Sequence, residues 1–213
     1  MYDFKTSTGI IFGATGFLGQ LLAYKLSTLG CKLILHGKSV EKLKLLDNKI
    51  NKIKIRQTLV QGDLNNENFY KNLFNSVSTR FNQIDFIFNL VGKFSRMSPI
   101  TNFTHSEWSE LVEININSHW RIIKELEPLI KKSQSPKLIF LNNKEISDGK
   151  PYHNILSISN AAIKVFANVY GSENKRLKID TRLINLPNLE SGITGATSHS
   201  KKKILIDDEI IEK

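Results

Sequence analysis

Hydrophobic and polar positions follow two periods along this chain. Short, mostly apolar runs fall at Gly9–Gly13, Lys32–Leu35, Ile55–Val60, Ile84–Val91, Leu138–Leu141 and Ile179–Leu186. These predict strands, and the near-continuous run Ile84–Val91 predicts one covered on both faces. The segments between them space their apolar residues three or four apart, as Leu18, Leu22 and Leu26 do, which predicts amphipathic helices. Further helices are expected after Ser39, over Phe69–Val77 and over about Asn154–Tyr170. The clearest helix start is Thr104 with Glu107, a capping box, with Phe103 and Trp108 placed as a hydrophobic staple across it. That helix is expected to run unbroken to about Lys132, with Pro128 kinking it or marking its last turn. Strand–helix alternation of this kind predicts an α/β fold, a doubly wound parallel sheet with helices on both faces. No linker-like stretch and no repeat divides the 213 residues, so one domain is expected, with a short tail from about residue 188. Ile204–Ile206 reads either as a shortened seventh strand or as the start of a last helix.

Composition narrows the class. With 40% apolar and 23% charged residues the chain can bury a sizeable core. No apolar run approaches the ~18 residues of a membrane span, and the N-terminus lacks the pattern of a secretory signal, so a cytoplasmic location is expected. The single cysteine, Cys31, excludes an intramolecular disulfide and is expected to pack as a small apolar residue. A net charge of +10 raises nucleic acid as a partner. The basic residues are spread along the chain, however, and apart from Arg56, Arg80, Arg96, Arg121, Arg176 and Arg182 they are lysines. Recognition of nucleic acid favours a concentrated face with arginine forks, so a solvated basic surface is the better reading, with Lys201–Lys203 in a solvated tail.

The first strand–helix turn carries Gly13-Ala14-Thr15-Gly16-Phe17-Leu18-Gly19. Glycines there permit a tight turn, close approach of backbone to a pyrophosphate and close helix–strand packing, while the helix N-terminus offers free N–H groups to the phosphates. The second strand ends in His36-Gly37-Lys38-Ser39. An acidic residue there would bind a ribose 2′-hydroxyl; Lys38 instead places positive charge where a 2′-phosphate would sit. The expected cofactor is NADP(H), in preference to NAD(H).

With these motifs in this order, the chain resembles the short-chain dehydrogenase/reductase family over about residues 8 to 190. Gly62-Asp63-Leu64 is similar to that family's acidic segment beside the adenine ring. Asn89-Leu90-Val91-Gly92 is a degenerate form of its Asn-Asn-Ala-Gly motif beside the adenosine. Asn115 matches its structural and proton-relay asparagine, and Gly16-Phe17 follows the family's extended and atypical members. The resemblance implies a catalytic serine after the fifth strand and a tyrosine and lysine four residues apart on the next helix. Here those positions fall on Asn143 (with Asn142 as the alternative), Leu156 and Asn160, with Ala161 and Ala162 anchoring the register. Leu156 has no proton to exchange and Asn160 no charge to tune an acid. General acid–base assistance is worth about 10²–10⁴-fold, so the expectation is a dinucleotide-binding protein with a degenerate, noncatalytic site. The alternative is a divergent oxidoreductase that takes its proton from Tyr152, from water or from a substrate group; Tyr152 is expected in the loop before the helix because Gly149 and Pro151 precede it. His36, His119 and His153 have no convergent partners in the sequence and read as structural or solvent-facing. Thr194 lies too far beyond Pro187 to match the family's carboxamide-binding threonine. The resemblance also implies a homodimer or homotetramer, joined through the helices beginning near Thr104 and Asn154, with Trp120, Ile123, Phe166 and Val169 as candidate contacts.

Overall fold

The structure is a computed structural model that describes residues 4–51 and 57–185. Six strands form one sheet: β1 (Thr8–Phe12), β2 (Lys32–Gly37), β3 (Thr58–Gln61), β4 (Phe86–Asn89), β5 (Lys137–Asn142) and β6 (Asp180–Asn185). All pairings are parallel and the order is β3-β2-β1-β4-β5-β6. The chain therefore moves outward from β1 to β3 on one side, then returns to place β4 against the other side of β1. At that reversal the connections after β1 and β4 lead to helices on opposite faces of the sheet, and a crevice opens beyond the carboxyl ends of the strands.

Side-chain alternation along each strand sorts residues between two cores. Ile10, Phe12, Ile34, Ile87, Leu138 and Phe140 face one way. They pack on α3 (Glu67–Ser78), α5 (Ser118–Ile130) and α7 (Asn154–Glu173) through Leu73, Ile122, Leu126, Ile163 and Ala167. Ile11, Leu33, Leu35, Phe88 and Ile139 face the other way. There they meet α1 (Phe17–Thr28) and α2 (Val40–Ile50) through Leu22, Leu26, Leu43, Leu46 and Ile50. Cys31 is fully buried in this second core, as a small apolar residue should be. Among the described residues no helix is long and apolar enough to cross a membrane.

The expected unbroken helix from Thr104 differs from what forms. Its capping box is present, with Thr104 Oγ1 accepting from the Glu107 N–H and Glu107 accepting from the Thr104 N–H. It runs as α4 (His105–Val112), a π-turn over Glu113–Asn117, then α5, with Pro128 in the last turn. A π-turn accommodates an extra residue, and such turns are frequent at functional sites; this one carries Asn115, whose amide is bonded outside the helix. The third strand runs over Thr58–Gln61, and residues 52–56, with the expected start at Ile55, lie outside the described residues. The expected tail from about 188, Thr194, Lys201–Lys203 and Ile204–Ile206 also lie outside the described residues. Of the four apolar candidates for self-association, Ile123 is buried and Phe166 packs on the core, because both face the sheet. Trp120 and Val169 are about half exposed, as are Val165 on α7 and, to a lesser degree, Ile158.

Two histidines that read as scattered are core groups. His36 lies between the rings of Phe12 and Phe69, at 5.1 and 5.0 Å between centroids, and its Nε2 donates to the Gly62 carbonyl. His119 on α5 faces the Phe140 ring and bonds the Val91 backbone. Burial pushes both rings down to about 4. They stay neutral in the folded chain while the unfolded chain protonates them below about pH 6.5. Stability is therefore intact above that value and falls as pH drops toward 4, by about 3 kcal/mol for each ring. The lowered carboxylates of Asp63, Glu107 and Asp180 lose their contribution only below the usual carboxylate range. Urea unfolding followed between about pH 7.5 and 4.5 should show proton uptake approaching two per chain, reduced by one in His36→Phe. A flat profile would contradict neutral buried rings.

Candidate functional site

The crevice begins where β1 ends. Gly13 holds φ at +77°, and a Cβ on it would stand 3.1 Å from the Leu90 carbonyl oxygen, just beyond β4. The loops after β1 and β4 thus meet by backbone, which only glycine at this φ permits without strain. Behind it, the Ala14 N–H donates to the His36 carbonyl and the Gly16 N–H to the Gly13 carbonyl. Gln20 Nε2 donates to the Thr15 carbonyl. A Cβ on Gly19 would run into the Gly13 carbonyl oxygen and come within 2.6 Å of the Ala14 Cα, so helix and loop pack backbone on backbone there. The N-cap of α1 is Gly16, with no side-chain capping bond and no acidic residue in the first turn. Phe17, Leu18 and Gly19 therefore open the helix with backbone donors and the positive end of its dipole, a cradle suited to a phosphate. Phe17's ring is exposed beside it.

The adjoining edge is built by the ends of β2 and β3. Lys38 Nζ lies 2.7 Å from Asp63 Oδ2. Each raises the charged state of the other: Asp63 pushes the lysine up, and the lysine holds the carboxyl below its usual range. Asp63 Oδ1 also accepts from the Asn65 N–H. Ser39 caps α2 by accepting from the Lys42 N–H and donates to Glu41. Leu64 is buried beneath.

Beyond β4, Asn89 is buried, its Oδ1 accepting from the Val91 N–H while its Nδ2 has no hydrogen-bond partner among the described residues. Gly92 is exposed, and a Cβ on it would lie 4.0 Å from Asn115 Oδ1. Asn115 itself reads the Lys93 backbone from both sides, accepting from its N–H at 2.6 Å and donating to its carbonyl at 2.9 Å. The resemblance places a relay asparagine here; in this structure its amide pins the β4–α4 loop.

At the far end of the crevice, Asn143 follows β5 and caps the short helix α6 (Lys144–Ser147). Its backbone N–H donates to Asn160 Oδ1 at 2.9 Å, and Asn160 Nδ2 donates to the Leu156 carbonyl at 2.8 Å. Asn143, Leu156 and Asn160 are thus brought together by one side-chain amide. Asn142 turns to the other side of the strand and donates to Asn185 Oδ1. Tyr152 precedes α7 in the loop, as expected, with φ at +66° and its side chain mostly exposed.

Asn154 escaped the sequence reading. Its Nδ2 reaches the carbonyls of Arg96, Ser98 and Tyr152, and its Oδ1 accepts from Ser95 Oγ and the Ile155 N–H. It is buried, with φ at +34°. Asparagine tolerates positive φ better than most residues, so its place at the start of a helix after Pro151 was the available signal. A groove of about 660 Å³, lined in part by Glu67 on α3, His105 and Glu110 on α4 and Arg121 on α5, includes none of the predicted site residues.

Parallel strands in this order with a glycine cradle at the first turn define a doubly wound domain of the nucleotide-binding class. Residues 8–202 match the short chain dehydrogenase family, and the chain belongs to that family. Curated relatives include an uncharacterized oxidoreductase of Staphylococcus epidermidis, 22% identical over 205 residues, which covers 96% of this chain and 87% of that protein. A Staphylococcus aureus counterpart is 23% identical over 203 residues, covering 95% and 87%. Among solved structures, a Shigella flexneri protein assigned as a short chain dehydrogenase and complexed with NADP superposes with a TM-score of 0.81 at 20% identity, covering 87% of this chain and 79% of that one. One from Pseudomonas syringae reaches 0.85 at 17% identity, covering 90% and 79%. At these identities the structures establish the shared fold.

The packing at Gly19 sets a test of the cradle. Gly19→Ala forces a methyl group against backbone that no rotamer change relieves, and should cost about 1–3 kcal/mol in urea unfolding. Wild-type stability in this variant would mean that the loop can shift freely.

Proposed function

We propose that this protein binds NADP(H) across the crevice and does not carry out the proton-coupled carbonyl reduction of its family. The cradle from Gly13 to Gly19 would hold the pyrophosphate, through Thr15, Gly16, Phe17 and Leu18. Lys38 and Ser39 would meet the 2′-phosphate, and Asp63, Leu64, Asn89 and Gly92 would flank the adenosine. The fit rests on a helix N-terminus with no side chain capping it and on glycines where a Cβ has no room. That neighbours of the same fold were solved with NADP and NADPH supports the choice of ligand.

One observation carries the noncatalytic part. Asn160, aligned with the family's lysine, is a neutral amide engaged at both ends, by the Asn143 N–H and the Leu156 carbonyl. It has no charge to lower the pKa of an acid, and Leu156 supplies no acid. Asn143 Oδ1 accepts from the Ile146 N–H rather than standing free as a hydroxyl would. Bound NADPH supplies a hydride; none of these three side chains supplies the proton that must accompany it.

Calorimetry should show NADPH binding more tightly than NADH, and a panel of carbonyl substrates should give no turnover in the ordinary ~1–10³ s⁻¹ range. Equal affinities would remove Lys38 from the reading, and an ordinary turnover number would overturn the noncatalytic assignment.

A second reading is that of a divergent oxidoreductase, favoured by the oxidoreductase names of its relatives and by the exposed phenol of Tyr152. The Tyr152 backbone is fixed at the rim by the Ser98 N–H and by Asn154. If turnover is found, Tyr152→Phe should abolish most of it while leaving NADPH affinity unchanged.

Trp120, Val165 and Val169, exposed on α5 and α7, support association into a homodimer or homotetramer. Light scattering at micromolar concentration should show more than one chain per particle; a clean monomer would refute it. The spread of lysines over the chain supports neither a nucleic-acid partner nor a membrane surface, and a cytoplasmic location fits this reading.

A further inference from the structure

We propose that Asp63 sets how strongly this protein distinguishes the 2′-phosphorylated dinucleotide from the unphosphorylated one, by holding the Lys38 ammonium group. The inference rests on the dinucleotide-binding reading above and goes beyond it, because it assigns the degree of preference to a residue that follows a different strand from the lysine.

The pair is built into the backbone. The Gly62 N–H donates to the Gly37 carbonyl, and Gln61 Nε2 donates to the Lys38 carbonyl, each at 3.2 Å. These bonds fix the ends of β2 and β3 side by side, so the two side chains meet at 2.7 Å. The carboxylate is further oriented by the Asn65 N–H on its other oxygen. Lys93, on the loop after β4, is likewise paired with a carboxylate, that of Glu110, at 2.5 Å. A 2′-phosphate arriving at Lys38 therefore meets an ion pair with no net charge. It must either share the ammonium with a carboxylate a few ångströms away, where like charges repel, or displace that carboxylate. NADH, with a neutral 2′-hydroxyl, faces neither requirement. The structure thus gives Lys38 a weaker discriminating power than its charge alone predicts, and Asp63 is the reason.

Asp63→Asn separates charge from shape. The amide keeps the size of the side chain and keeps an acceptor oxygen for the Asn65 N–H, but it no longer neutralises Lys38. Dissociation constants for NADPH and NADH, measured by calorimetry on the wild type, Asp63→Asn, Lys38→Ala and the double variant, decide the matter. Asp63→Asn should raise the NADPH-to-NADH affinity ratio by about two- to fivefold, the scale of an exposed ion pair, whatever it does to the adenosine contact that both dinucleotides share. The gain should shrink in the Lys38→Ala background and at high salt. An unchanged NADPH-to-NADH ratio in Asp63→Asn overturns the inference while leaving the dinucleotide reading standing. An equal gain with and without Lys38 also overturns it, since Asp63 would then act on the phosphate directly. Failure of the wild type to bind either dinucleotide overturns the reading on which it rests. Matching thermal melts of wild type and Asp63→Asn show that any change belongs to the site.

Discussion

The backbone contact between Gly13 and Leu90 is the constraint on which the site depends. Parallel pairing sets Phe12 beside Asn89, so the loops that follow β1 and β4 leave the sheet next to each other. They must do so without side chains between them. A glycine at positive φ lets the first loop turn sharply over the Leu90 carbonyl, and a second glycine, Gly19, lets α1 settle onto that turn. The helix N-terminus is thereby aimed across the crevice, and everything read as dinucleotide binding is arranged around that aim.

Asparagines do much of the remaining fixing. Asn115 holds the loop after β4 by the Lys93 backbone, Asn154 ties that loop to the one before α7, and Asn160 joins the end of β5 to α7. An amide can donate and accept at once without carrying charge, so each fastens two pieces of chain and adds no charge of its own. The ion pair of Lys38 and Asp63 lies at the opposite edge. On the proposed reading, the groups that would hold a charged ligand stand at that edge, and the amides of Asn143 and Asn160 stand at the other end.

Much of the fold was legible because its signals are local. Glycine spacing at 13, 16 and 19, the apolar runs of β1, β4 and β5, and the Thr104–Glu107 capping box each specify their own conformation. The same holds for Cys31 and for the loop position of Tyr152. What was hidden depends on partners distant in sequence. The break in the helix after Val112 involves the Lys93 backbone, 22 residues before Asn115, and no periodicity in the helix announces it. His36 and His119 became core groups because Phe12, Phe69 and Phe140 converge on them from other elements. Lys38 was visible as a cation, but its partnership with Asp63 arises only once β2 and β3 lie side by side.

The clasp at Asn154 has a mechanical consequence. One buried amide takes up carbonyls from Arg96, Ser98 and Tyr152, so the segment after β4 and the segment before α7 share a fastening, reinforced by the Ser98 N–H on the Tyr152 carbonyl. Neither can swing outward alone without leaving that amide, already out of water, short of partners. Moving either rim of the crevice's inner end draws on bonds to the same amide, so the cost of displacing one segment is set in part by where the other sits.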